Sequence, residues 1–261
     1  MFANKLGAST YCCILEPLEA ALGKLENIGF SFVEILSDGM HDLLNDCEPC
    51  FSFGMEYVVH APIDLNIASV REPIRKASVE VLKGVVEVAN RIDSDLLVIH
   101  PGHYGWHIEK ERAYMACANS VRELSRFSED FGVRIAVENM TDWGNSLLRS
   151  PMDGWVIGNA GLALDVGHAH LMHELENFLK DPRIIHLHIH DNDGQRDSHD
   201  ALGRGNLKLE DVFSMMLDRN VRGVIEVNSF DALKESVLWL KTHDVLKSHF
   251  DSQSFPRSPD F

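Results

Sequence analysis

The chain has 261 residues, 45% of them hydrophobic and 25% charged, with 40 Asp+Glu against 24 Lys+Arg and a formal net charge of −16. That balance belongs to a globular protein and excludes disorder, a collagen-like fibre and a small disulfide scaffold; no apolar run approaches the length of a membrane span. The acidity, with no basic stripe, argues against a surface that holds nucleic acid through its phosphates. Met1-Phe2-Ala3-Asn4-Lys5 shows no basic region leading into an apolar core, and the 5 Cys are an odd number, so a reduced, cytoplasmic setting is expected.

In chain order, short apolar and β-branched runs predict strands at residues 5–12, 32–36, 57–61, 96–100, 134–138, 162–165, 184–190 and 223–227. Several are continuously apolar, as in Leu96-Leu97-Val98-Ile99, which suits strands covered on both faces of a parallel sheet. Helical spacing fills the gaps. Residues 17–27 place Leu18, Ala21, Leu22 and Leu25 on one face, with Gly29 placed to cap the end. Residues 73–90, 108–131, 207–217 and 233–243 follow the same logic, while the connections after the second, fifth and sixth strands are less regular. Eightfold strand–helix alternation predicts a (β/α)8 TIM barrel, an α/β fold in one domain over residues 1–247. A doubly wound sheet would want a Gly-rich turn after its first strand, and Tyr11-Cys12-Cys13-Ile14 is not one. Residues 248–261 are polar and aperiodic and read as a loose tail, or as a strap packing Phe255 and Phe261 on a partner subunit in a homo-oligomer.

Six of the predicted strands carry His60, His100, Glu138, Asp165, His188 and Glu226 at or near their C-terminal ends, where a barrel gathers side chains into one mouth. A lone His at a strand end is usually a structural residue. Six such groups together would repel and resist desolvation without cations. Asp165-Val166-Gly167-His168 and Asp197-Ser198-His199 add two carboxylate–imidazole pairs. The donors are N and O, which favours Zn or Mn over thiolate-selected metals; their number suggests one to three ions. His186 and His190 share a face with His188, which puts His186 below the mouth and His190 near its rim. Cys47-Glu48-Pro49-Cys50 has no second CxxC and reads as two ordinary thiols.

These segments resemble the xylose-isomerase-like TIM-barrel superfamily of sugar isomerases, sugar 3-epimerases and endonuclease IV. The resemblance rests on His60-Ala61-Pro62, Ile99-His100-Pro101-Gly102, Ala136-Val137-Glu138-Asn139, Leu164-Asp165-Val166-Gly167-His168, His188-Ile189-His190-Asp191, Asp197-Ser198-His199 and Ile225-Glu226, in that order along nearly the whole chain. It implies two alternatives. In an isomerase or epimerase of sugars or sugar phosphates, Glu138, Asp165, His188 and Glu226 hold one divalent ion and the two Glu move a proton. His168 and Arg204 then position the substrate, with Trp106 and Trp143 walling the pocket. In an endonuclease IV-like zinc phosphodiesterase, His60, His100, Glu138, Asp165, His168, His188, Asp197, His199 and Glu226 hold three ions. Ile63 and Asp64 stand where that enzyme carries its DNA-opening wedge, and Gly203-Arg204-Gly205 replaces a Gly-Glu-Gly, so a small sugar or phosphoester is the expected partner and nucleic acid the less expected one.

Overall fold

The computed structural model describes residues 5–243. The tail expected over residues 248–261 lies outside the described residues. Eight parallel strands close into a barrel in sequential order: β1 (Leu6–Ser9), β2 (Phe32–Leu36), β3 (Glu56–His60), β4 (Leu96–Ile99), β5 (Arg134–Glu138), β6 (Gly161–Asp165), β7 (Ile184–Ile189) and β8 (Arg222–Ile225), with β8 pairing back onto β1. The predicted (β/α)8 barrel is the fold.

The helices are α1 (Leu18–Ile28), α2 (Glu72–Arg91), α3 (Lys110–Glu129), α4 (Val166–Leu171), α5 (Leu175–Phe178), α6 (Leu209–Asp218) and α7 (Phe230–Thr242). α1 ends where Gly29 takes φ 105, a left-handed cap that sends the chain into β2. The irregular connections after β2 and β5 are 3-10 turns, and the one after β6 is the short pair α4–α5. The first strand is shorter than expected. Residues Thr10–Cys13 form a 3-10 turn because the Ser9 hydroxyl accepts from Tyr11 N and ends the extended backbone. None of the helices among the described residues is long and apolar enough to cross a membrane.

The main core lies between the strands' outer faces and the helices, where Leu22, Leu25, Leu82, Leu97, Phe178 and Phe213 are buried. Inside the barrel a separate apolar plug of Phe32, Val58, Leu96, Val98, Ala136, Ala163 and Val224 fills the N-terminal half. Two residues further along the same strands, the inward positions turn polar. Val58 gives way to His60, Val98 to His100, Ala136 to Glu138, Ala163 to Asp165 and Val224 to Glu226. Period-two alternation therefore stacks a polar layer on an apolar one.

Candidate functional site

His60, Glu138 and Asp165 are the last residues of β3, β5 and β6; His188 is the last but one of β7; His100 and Glu226 each follow their strand by one residue. His168 comes from α4, and Asp197 and His199 from the loop after β7. His60, His100, Glu138, His168, Asp197, His199 and Glu226 line one cavity of about 700 Å³, while Asp165 and His188 are fully buried behind them. Every donor expected from the sequence thus converges on one place.

The contacts fall into groups. His60 Nε2 and His100 Nε2 approach Glu138 Oε2 at 3.1 and 3.3 Å. His168 Nε2 and His199 Nε2 approach Asp197 Oδ2 and Oδ1 at 3.1 and 3.5 Å. Between these sets His188 Nδ1 faces Glu226 Oε2 at 3.3 Å, Glu138 Oε2 at 3.6 Å and Asp165 Oδ2 at 4.0 Å. His60, His168 and His199 each turn Nδ1 to a backbone carbonyl, on Ala61 at 2.8 Å, Asn139 at 3.0 Å and Glu226 at 2.9 Å. An imidazole that donates Nδ1–H in this way leaves its Nε2 lone pair aimed at a carboxylate. A cation between the two resolves that clash, and a carbonyl-held Nδ1–H is how metal-binding imidazoles are oriented.

Asp165 shows the same fit. Its Oδ1 accepts from His168 N at 2.6 Å, capping α4, and from His190 Nε2 at 3.1 Å. Its Oδ2 is buried without a hydrogen-bond partner, as is His188 Nδ1. Buried polar groups are seldom left unpaired, so these atoms fit ligands of a divalent ion, with Glu138 and Glu226 beside them. Asn139 locks the layer, its amide donating to Asp165 O at 3.0 Å and accepting from Asp165 N at 2.8 Å. Gly167 is required by close approach, since a Cβ there would lie 2.0 Å from His190 Cε1. His199 sits at φ 47 and is held there by Asn228 N, which donates to His199 O at 2.9 Å.

Without a cation these groups share protons. Burial opposes charge on His60, but its hydrogen bond to Glu138 and the carboxylates around it push it up to about 9. Burial likewise opposes charge on His199, yet Asp197, Glu226 and Asp165 bring it to about 9. Burial opposes ionisation of Glu138, and the charges of His188 and His100 overcome it, holding the carboxyl well below its usual range.

Other predicted residues are placed differently. Trp143 lines the cavity, 60% exposed, but Trp106 is 75% exposed and is not among its lining residues. Arg204 is not brought to the cavity either: its Nε donates to Glu235 Oε2 at 2.9 Å and its side chain is 67% exposed. The Gly203-Arg204-Gly205 loop is pinned instead by Asp191, whose Oδ2 accepts from Gly203 N at 3.0 Å, leaving Arg204 on the outer rim. Cys47 and Cys50 are buried free thiols. Sequence reasoning missed Tyr11, Gln195 and Met140 in the wall, and Glu34 beneath it. Tyr11 and Gln195 lie in irregular segments that carry no periodic signal; Glu34 did carry one, a carboxylate inside an apolar strand.

The sequence model described as Xylose isomerase-like TIM barrel matches residues 22–248. A Methanocaldococcus jannaschii protein described as uncharacterized is 36% identical over 86% of this chain and 92% of its own length. The crystal structure of a D-tagatose 3-epimerase-like protein superposes with a TM-score of 0.81 at 30% identity, covering 91% of this chain and 96% of that one. The IolI protein with a binding zinc atom gives a TM-score of 0.76 at 21% identity over 94% and 99%. More distant sequences divide: fructoselysine 3-epimerase of Shigella flexneri is 21% identical over 79% of this chain and 83% of its own, and a probable endonuclease 4 of Carboxydothermus hydrogenoformans is 25% identical over 61% and 64%. With the closed eight-stranded barrel and its donor-rich mouth, these matches place the chain in the xylose isomerase-like TIM-barrel family.

Proposed function

We propose that the protein is a divalent-metal-dependent sugar isomerase or epimerase that moves a proton at the carbon beside a carbonyl. The observation that carries the reading is the buried, unpartnered pair Asp165 Oδ2 and His188 Nδ1, set between the carboxylates of Glu138 and Glu226 on the floor of a cavity of about 700 Å³. Asp165, His188, Glu138 and Glu226 would hold the ion, Zn or Mn by donor type. Bound there, it would polarise a substrate carbonyl and its neighbouring hydroxyl and acidify the proton between them.

The chain supplies the rest. Glu138 and Glu226 come from β5 and β8, three strands apart around the ring, and so reach a bound substrate from different sides. One takes the proton; returned by the other to the opposite face of the same carbon it gives the epimer, and returned to the former carbonyl carbon, with the hydroxyl proton passing to the carbonyl oxygen, it gives the isomer. Ser9 Oγ donates to Glu226 Oε1 at 3.4 Å and steadies that carboxylate. His168 presents its ring at the cavity wall, where it positions a hydroxyl. Trp143, Met140, Leu171, Met172, Leu36 and Ile63 form an apolar wall against the sugar's carbon face and exclude water. Among the described residues no Lys or Arg lines the cavity, which favours an uncharged sugar over a sugar phosphate, since phosphate recognition calls for cationic donors.

One observation favours a second reading. The donors of the mouth fall into three sets, His60–His100–Glu138 and Glu138–Asp165–His188, which share Glu138, and His168–Asp197–His199, each compact enough for an ion; a fourth, Glu34–His186–His188, lies beneath them. Three ions so placed would suit an endonuclease IV-like phosphodiesterase. Metal analysis of the purified protein, with a panel of ketoses in deuterated water, separates the two. One ion per chain and deuterium entry beside the carbonyl support the isomerase. Three tightly held zinc ions with cleavage of abasic-site DNA or a small phosphoester, and no exchange on any sugar, overturn it.

A further inference from the structure

One layer below the mouth, Glu34 of β2 is fully buried in the barrel interior, its Oε1 2.9 Å from His188 Nε2 and its Oε2 2.7 Å from His186 Nε2. Among the described residues neither oxygen meets hydrogen-bond geometry with a partner, and the two imidazoles, close but not aligned, are the polar groups within reach. Its neighbours in register are Val58 on β3 and Ser9 on β1, and Phe32 lies on the same strand face, so the carboxylate stands at the edge of the apolar plug. A carboxylate there is costly unless both oxygens are paired, and the two imidazoles are what the fold provides. Ala163, opposite His186 in register, leaves room for the rings.

The contrast with the other imidazoles gives this contact its meaning. His60, His168 and His199 hold Nδ1 on backbone carbonyls and present Nε2 to the carboxylates of the mouth. His188 is reversed. Its Nδ1 faces Glu226, Glu138 and Asp165, and its Nε2 points down to Glu34. We infer that Glu34 is a positioning residue of the metal centre: it takes the Nε2–H of His188, fixing the ring so that Nδ1 is the ligating nitrogen, and is itself steadied by the Nε2–H of His186. A carboxylate behind an imidazole orients it more firmly than a carbonyl and makes it the more basic ligand. Unlike His60, His168 and His199, His188 thus draws its support from beneath the site, through side chains buried between β2 and β7.

This assignment rests on the metal centre proposed above, and the test separates the two. Zinc is first titrated into the wild-type protein. Nitrogen-15 shifts of the His188 ring in the zinc-loaded form are then expected to show a protonated Nε2 and a metal-bound Nδ1. Glu34→Gln keeps the shape but accepts from only one ring and turns its NH2 against the other. It is expected to weaken zinc affinity about 10- to 100-fold and to change the visible spectrum of the cobalt-substituted protein. Wild-type protein that binds no zinc overturns both the centre and this assignment. Zinc binding with the His188 proton on Nδ1, or unchanged affinity in E34Q, overturns the assignment alone. Should E34Q not fold, the wild-type nitrogen-15 shifts decide it.

Discussion

The same strands build two unlike halves of the barrel interior. In the N-terminal half Val58, Val98, Ala136, Ala163 and Val224 pack into an apolar plug, with Glu34 and His186 in register beside Val58 and Ala163 as its polar neighbours. Two residues on, His60, His100, Glu138, Asp165 and Glu226 occupy the equivalent inward positions. The lower half holds the ring of strands together by burial. The upper half sets like charges and lone pairs against one another, which a protein keeps only where a ligand relieves them. A substitution that is ruinous in one half should therefore be mild for folding in the other.

The largest expected effect breaks the lower half. Val98→Asp would put an unpaired carboxylate into the apolar plug, where Val98 is fully buried. A loss of about 3–5 kcal/mol is expected, enough to leave much of the chain unfolded in a denaturant titration. Asp165→Asn makes the opposite case. The amide oxygen keeps the cap on His168 N, but an NH2 replaces the unpartnered Oδ2 and points a donor at the cation position. Zinc affinity is expected to fall by at least about 100-fold, read by calorimetric titration, while the metal-free variant still folds. A metal-free D165N that does not fold would show that the mouth is built for stability after all.

Asn139→Ala probes the seam between function and fold. It removes two buried hydrogen bonds to the Asp165 backbone, at 2.8 and 3.0 Å, with a cost of about 1–3 kcal/mol in the denaturant midpoint. A smaller effect follows from protons. His60 and His199, ordinarily near 6.5, are pushed up to about 9 in the metal-free protein, so both carry protons at neutral pH. Groups raised in this way contribute stability in full below 6.5 and lose it as pH climbs through about 9. The metal-free protein should thus melt lower as pH rises across that window, and zinc binding at pH 7 should release protons and weaken as pH falls. Melting curves and titrations in buffers of different ionisation enthalpy check both signs.

These residues also show how far the sequence could be read. The barrel was legible because continuous apolar strands alternate with helical spacing, and the donors because they fall on one parity at successive strand ends. Strand ends were less legible. Cys12 continues the apolar run of β1, but the Ser9 hydroxyl stops the strand by a local bond that hydropathy does not register. Arg204, expected to contact the substrate, lies outside the cavity for a different reason. A long cationic side chain near a mouth has many partners within reach, and Glu235 on α7 has no motif tying it to the loop after β7. Glu34 lies outside the strand-end pattern, although a carboxylate inside Phe32-Val33-Glu34-Ile35-Leu36 at the parity of Phe32 and Leu36 is itself a signal.

The smallest expected effect belongs to the rim and sharpens the line between mouth and surface. Arg204→Ala removes an exposed ion pair with Glu235 and nothing that reaches the cavity. Exposed pairs are screened by water and salt and hold long side chains at an entropic cost, so the melting temperature should stay within scatter. Turnover and zinc content should be unchanged as well. Trp143→Ala is the matched control: Trp143 is also largely exposed, at 60%, but it lines the cavity, and its loss should raise KM for the substrate that the ketose panel identifies. If Arg204→Ala instead raised KM, the loop after β7 would have to swing inward during binding, and the boundary of the site would extend to the guanidinium that the sequence first suggested.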